Sequence, residues 1–236
     1  MRLNALGQPI GDDLAGWTPP PRPPRQPLAG RFCRLEPLDG SIHTADLFAA
    51  SALDRDGRTW TYLPVGPFDS LEAYTSWVES SSASTDPLFF AIIDARSGRA
   101  AGVASYLRIT PGSGTIEIGH LHFSPALQRT PAATEALYLL IARAFALGYR
   151  RCEWKCDALN EPSRRAADRL GFTFEGVFRQ ATVYKGRSRD TAWYAIVDRD
   201  WPAIERGFRR WLDPANFDPA GRQRAALGSL IADERQ

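Results

Sequence analysis

Two hydrophobic periods run along this chain. The runs LFFAIID (88–94), AAGVASYLRI (100–109) and TIEIGHLHF (115–123) are rich in β-branched and aromatic residues. The segments DARSGR (94–99) and TPGSG (110–114) between them carry turn chemistry, which predicts three successive antiparallel strands. RFCRLEPL (31–38) and CEWKCDA (152–158) predict further strands. Residues 172–185 and 190–198 predict a hairpin across KGRSR. Helical spacing governs the rest. Ile42, Leu47, Phe48 and Leu53 mark a helix over 39–53. SLEAYTSWVES (70–80) marks a second, with Asp69 or Ser70 as N-cap. A long apolar helix runs from Pro131 to Leu147 and meets Gly148, a plausible C′ glycine. Asn160 caps a helix that ends at Leu170-Gly171. Trp201, Ile204, Phe208, Trp211 and Leu212 share one face of a helical end (201–232), which is expected to dock on the domain. A strand–helix–strand unit joined to an antiparallel sheet predicts an α+β fold with a mixed sheet. No internal repeat is visible.

The first thirty residues differ. WTPPPRPPRQPLAG (17–30) holds six prolines and no apolar period. Such a segment is extended. It could serve an aromatic-lined groove as a Pro-x-x-Pro ligand. The favoured expectation is an arm packed on its own domain and pinned by Trp17. The expected organisation is therefore a Pro-rich arm (1–30), one domain (31–199) and a helical extension (200–236).

Composition narrows the class. At 236 residues and 44% hydrophobic, the chain can bury a sizeable core without staples. It carries 29 Lys and Arg against 27 Asp and Glu, a net charge of +2. That balance implies no polyanion partner, and no nucleic-acid partner is expected. Only Lys155 and Lys185 are lysines. No apolar run reaches membrane-span length. The opening MRLNALGQPIGDD lacks the apolar centre of a secretory signal, and three cysteines make no disulfide framework. The expectation is a reduced, cytoplasmic protein, monomer or homodimer, with no membrane association.

Chemistry concentrates in two segments. In the first, a strand ends at Ser124-Pro125. A polar turn, Gln128-Arg129-Thr130, then opens the long helix with Pro131-Ala132-Ala133-Thr134. Small side chains and unpaired first-turn amides at a positive helix end suit a phosphate; they equally suit a well-started helix. In the second, Asn160 opens a helix with Ser163 one turn on, followed by Leu170-Gly171-Phe172. Glu117 on the preceding strand suits a base or an ion-paired carboxylate. His120 and His122 have a free pKa that suits proton transfer, and one of them is expected to be a structural histidine. Their His-x-His spacing finds no matching cysteine or carboxylate, so no metal is expected. Cys152, Trp154 and Cys156 share one strand face as buried small and apolar groups, with Glu153, Lys155 and Asp157 opposite.

Taken in order, these segments resemble the GNAT superfamily of acyl-CoA-dependent N-acetyltransferases, in its RimJ/RimL-like branch. Four motifs from about Arg31 to about Asp198 carry the resemblance. They are Glu117-Ile118-Gly119, then Gln128-Arg129-Thr130-Pro131-Ala132-Ala133, then Thr134-Glu135-Ala136, then Asn160…Ser163…Leu170-Gly171-Phe172…Glu175-Gly176…Arg179. The chain departs from the pattern at Pro131 and Ala133, which stand where the phosphate loop has glycines; proline removes one amide donor. The resemblance implies a mostly antiparallel sheet of about seven strands splayed around an acyl-CoA site and flanked by helices. It implies acetyl-CoA as co-substrate and a direct attack by an amine. Glu117, His120 and His122 are then candidate bases, and Ser163 supports the leaving thiolate. Leu121 and Phe123 lie where main-chain amides meet the thioester. Gln128, Arg129, Thr130, Ala132, Ala133, Thr134, Asn160, Ser163 and Arg165 are expected along the cofactor, with Arg164 as a further candidate for its 3′-phosphate. Trp60, Tyr62, Tyr106, Arg179, Tyr184 and Trp193 are expected around the amine, a protein N-terminus or a small molecule. The competing expectation is a GNAT-fold protein that binds acyl-CoA or a partner without turnover.

Overall fold

The middle layer of the molecule is an open eight-stranded sheet in the order β3-β4-β5-β6-β7-β8-β10-β9. The computed structural model describes residues 2–236; Met1, the first residue of the expected arm, lies outside them. A small hairpin, β1 (Arg2–Leu3) with β2 (Pro9–Ile10), precedes the sheet. The sheet strands are β3 (Leu28–Ala29), β4 (Cys33–Pro37), β5 (Leu88–Asp94), β6 (Ala100–Thr110), β7 (Thr115–Phe123), β8 (Arg151–Asp157), β9 (Thr173–Tyr184) and β10 (Arg187–Val197). The helices are α1 (Gly40–Ser51), α2 (Leu71–Ala83), α3 (Pro131–Ala146), α4 (Glu161–Arg169), α5 (Trp201–Leu212) and α6 (Leu227–Glu234). Every pairing in the sheet is antiparallel except β7 with β8.

Both faces of the sheet are covered at β5, which is why that strand reads as an unbroken apolar run. Phe89, Ala91 and Ile93 face a core with Leu47, Trp60, Tyr74 and Val78, beneath α1 and α2. Leu88, Phe90 and Ile92 face the larger core, which holds Leu137, Leu140, Ile141 and Ala144 of α3 and extends to α5 and α6. Helix starts are set by side chains that accept first-turn amides: Asp39 for α1, Ser70 for α2, Thr130 for α3 and Asn160 for α4. Gly148, with φ +96°, follows the C-cap of α3.

Three expectations need correction. The sheet has eight strands where about seven were expected, because Leu28–Ala29 in the proline-rich arm pairs with Leu35 and Arg34. The β9–β10 turn is shorter than KGRSR: only Lys185 and Gly186 lie outside the strands, both with positive φ, and Arg187 already pairs with Tyr184. The helical end is two helices, interrupted over 213–226 where Asp213 precedes Pro214 and adopts ψ 134°.

The arm lies along the domain. Arg22 pairs with Asp86 at 3.1 Å, and Arg25 donates to the carbonyls of Leu38 and Ser84. Glu135 ties the arm's end to α3. Its buried carboxylate accepts the main-chain N–H groups of Arg31, Phe32 and Cys33 at 2.5–2.9 Å. The extension is held by close helix contact. A Cβ on Gly207 of α5 would meet Ile231 Cα of α6 at 2.8 Å, so the two backbones touch where only glycine fits.

Candidate active site

The single parallel pair of the sheet comes apart partway along. β7 and β8 pair at Thr115–Arg151, Ile116–Cys152 and Glu117–Glu153. β7 then continues to Phe123 on β6 and β8 to Asp157 on β10, without pairing to each other. A bulge accompanies the split. Gly119 faces Ser105 and His122 faces Val103, so β7 carries one residue more than β6. His120 absorbs it at φ +48°, a conformation costing roughly 1–2 kcal/mol for a residue with a Cβ. The cleft so formed has a volume of about 1830 Å³. It runs from the start of α3 to the β9–β10 hairpin.

One end is built for an anion. Gln128, Arg129, Thr130, Ala133 and Thr134 line it, with Asn160, Ser163 and Arg165 of α4 opposite. Ala132 is buried and does not reach the wall, because its side chain packs into the core. The first-turn donors are fewer than the sequence suggests. Thr130 Oγ1 accepts the Ala133 N–H at 3.2 Å, and Thr130 O accepts that of Thr134. Pro131 has none. The N–H groups of Arg129 and Ala132 have no acceptor among the described residues. A cation missed in the sequence compensates. Arg169 of α4 lines the cleft and donates to Thr134 Oγ1 at 3.0 Å, with no carboxylate partner among the described residues. Arg165 pairs instead with Glu161, and Arg164 with the Tyr194 hydroxyl and Ala158 O, so Arg164 belongs to the packing of α4 on β10. Free amides, a positive helix end and an unpaired guanidinium fit a pyrophosphate. Asn160 Oδ1 accepts the Ser163 N–H, and Ser163 Oγ accepts from Trp154 Nε1 at 3.1 Å, so the serine hydroxyl is left as a donor, with Cys156 beside it. The C-terminal extension also reaches this end through Trp211, Phe217 and Leu227.

The other end is charged and largely buried. Glu117, 3% exposed, sits between Arg108 Nη1 at 2.7 Å and Lys155 Nζ at 2.9 Å. Lys155 continues to Glu153, then Arg151 and Glu175, a chain of ion pairs crossing from β6 to β9. Burial raises the Glu117 pKa, and Lys155 and Arg108 oppose that rise. The Lys155 ammonium lies 3.8 Å from the centroid of the Trp193 ring. His120 lines the cleft. Burial lowers its proton affinity, and Arg108 and Arg189 lower it further.

His122 lies elsewhere and is corrected as a candidate base. It stacks on Trp60 with centroids 3.7 Å apart and is 3% exposed. Thr59 Oγ1 gives its one proton to Asp54, so it accepts from His122 Nε2 at 3.1 Å. Burial pushes the His122 pKa down to about 4. Among the expected acceptor residues, Tyr62, Tyr184 and Trp193 line the cleft. Trp60 and Tyr106 do not. Trp60 is buried under α2, and Tyr106 is enclosed with its hydroxyl on Leu140 O. Arg179 stands apart with Gln180 on the exposed strand β9, outside the cleft. Leu121 and Phe123 line its wall. Arg108, Lys155 and Arg189 were not singled out for this site. Lys155 carried the available signal, as one of two lysines and a cation inside a strand. Among the described residues no group of His, Cys, Asp and Glu is arranged to hold a metal. No helix there is long and apolar enough to cross a membrane.

Comparison with known proteins gives this architecture its class. The sequence model of the GNAT acetyltransferase domain matches residues 34–173. A GCN5-related N-acetyltransferase from Brucella melitensis is 47% identical, with a TM-score of 0.91 over 93% of this chain and 100% of that one. A GNAT-family acetyltransferase from Chromobacterium violaceum is 42% identical, with a TM-score of 0.77 over 83% and 98%. The microcin C7 self-immunity acetyltransferase, solved with acetyl-CoA and AMP, shares the fold at a TM-score of 0.62 and 24% identity over 71% and 93%. A search of curated proteins returned no match. The chain belongs to the GNAT acetyltransferases, a family of acyltransferase enzymes that use acetyl-CoA.

Proposed function

We propose that this protein transfers an acetyl group from acetyl-CoA directly to a primary amine, as a member of the RimJ/RimL-like branch whose motifs it carries. The carrying observation is the parted β7–β8 pair, with an anion site at one end and buried proton-exchanging groups at the other. When bound, acetyl-CoA supplies a thioester carbonyl. The unpaired edge of β7 offers main-chain amides to an extended acyl chain, and those of Leu121 to Phe123 are the candidate oxyanion donors. Ser163 Oγ, already accepting from Trp154, can donate a hydrogen bond that stabilises a leaving thiolate. Glu117 takes the ammonium proton through water, with the neutral His120 as the second acceptor. The setting is a reduced, cytoplasmic one.

Mass-spectrometric detection of acetylated products from an amine panel tests this. Wild type is expected to acetylate at least one amine, with kcat lowered at least tenfold in Ser163→Ala. His120→Asn, which keeps a side chain tolerant of positive φ, separates the two bases. If Glu117 is the base, the acid limb of kcat/KM is unchanged in that variant. One observation favours a second reading, binding without turnover: Thr130 occupies an amide that a phosphate would otherwise take. Acetyl-CoA binding with no product from any amine would establish it.

A further inference from the structure

The acceptor end of the cleft holds a cation with nothing to bind. Arg189 of β10 lines it, and its Nε is buried without a hydrogen-bond partner. The carboxylates on the same wall are engaged. Glu117 is held by Arg108 and Lys155, and Asp157 accepts the Tyr184 hydroxyl at 2.8 Å and the Leu159 N–H at 2.8 Å. The guanidinium carbon of Arg189 lies 5.9 Å from the centroid of the Tyr184 ring, so its side chain runs beside a wall of this end. A buried guanidinium N–H left unpaired costs about 1–3 kcal/mol, more for a charged group. An oxyanion would satisfy it with paired hydrogen bonds.

The same end is bridged. Lys185 Nζ donates to Trp60 O at 2.8 Å and Arg187 Nη2 to Thr61 O at 3.2 Å, which join the β9–β10 turn to the loop before α2. Tyr62 OH donates to Leu159 O at 3.2 Å, joining that loop to the start of α4. These ties cross from one wall to the other and restrict the room for a folded protein terminus.

We propose that the acceptor is a small amine bearing an oxyanion, and that Arg189 binds that oxyanion while the amine faces Glu117 and His120. The proposal rests on the acetyl-transfer reading for its reaction, and on Arg189 alone for its anion. Calorimetric titration, with and without CoA, tests it using matched amines: amino acids against their carboxamides, and phosphomonoester amines such as O-phosphoethanolamine against their alcohols. At least one anionic member is expected to bind tenfold or more tightly than its neutral partner. The preference is expected to fall below twofold in Arg189→Gln and to recover in part in Arg189→Lys. The control Arg179→Gln, outside the cleft, retains it. Whether the preferred set is carboxylates or phosphates identifies the source of the oxyanion. Equal binding within pairs, no binding by any anionic member, or a preference that survives Arg189→Gln overturns the proposal. Titration with acetyl-CoA in the same proteins is read separately: absence of binding by wild type contradicts the acetyl-transfer reading, whatever the amines show.

Discussion

Acidification should cost this protein stability, and His122 should carry a separable share of the loss. In the folded state its pKa is pushed down to about 4, against an ordinary value of 6.5. The cause is burial against Trp60, and the Thr59 hydroxyl accepts from Nε2–H without needing a second proton on the ring. A depressed histidine pKa means that the unfolded chain binds the proton first. The stability it contributes is complete above about pH 6.5 and is lost as pH falls toward 4. A shift of 2.5 units at about 1.36 kcal/mol each sets the full loss at about 3 kcal/mol, of which about 2 kcal/mol falls between pH 7.5 and 5. Carboxylates held below their ordinary range, such as Glu36 and Asp54, lose stability in the same direction. The comparison must therefore be a difference. Urea unfolding of wild type and His122→Phe across pH 7.5 to 5 supplies it, since phenylalanine keeps a ring against Trp60 and cannot titrate. The wild-type curve should fall about 2 kcal/mol further than the variant's. Parallel curves would refute the burial argument and return His122 to the list of titrating groups.

Three further outcomes are expected. Glu135→Ala removes the acceptor of three main-chain amides, and the fall in unfolding free energy should exceed 2 kcal/mol by urea titration, with the arm released to limited proteolysis. Arg169→Gln removes a guanidinium at the start of α3 that has no carboxylate partner among the described residues; calorimetry should give at least tenfold weaker CoA binding and a flatter salt dependence, and an unchanged affinity would contradict the anion site. Gly207→Val forces α6 off α5, and because Trp211 and Leu227 line the cleft, CoA affinity should fall along with thermal stability.

The parts of the fold that depend on neighbours in sequence were legible. Strands β5, β6 and β7 are joined by turns whose residues announce them, and α4 begins at a capping asparagine. Features that depend on distant partners were not. Leu28–Ala29 is a strand because it finds β4, while the prolines around it argue for none. The break at 213–226 is announced by a proline, yet its order comes from Asn216, whose side chain bonds Trp211 O and the N–H and carbonyl of Ala225. At the site, Thr130 illustrates the ambiguity of a single residue. The same hydroxyl serves a phosphate loop or a helix cap, and here it caps. Glu117 was visible as a carboxylate inside a strand. Its environment was not, because Arg108 and Lys155 reach it only through the register of β6, β7 and β8. Trp60 and Tyr106 were misplaced since aromatic residues suit a pocket wall and a core equally.

The central claim is that acetyl-CoA lies in the gap between β7 and β8. Amide hydrogen exchange read by mass spectrometry, with and without saturating acetyl-CoA, tests it most directly. The account predicts slowed exchange over Gly119–Phe123 and over Arg129–Thr134, with the β1–β2 hairpin unchanged. Saturable binding that leaves both segments unprotected would contradict it.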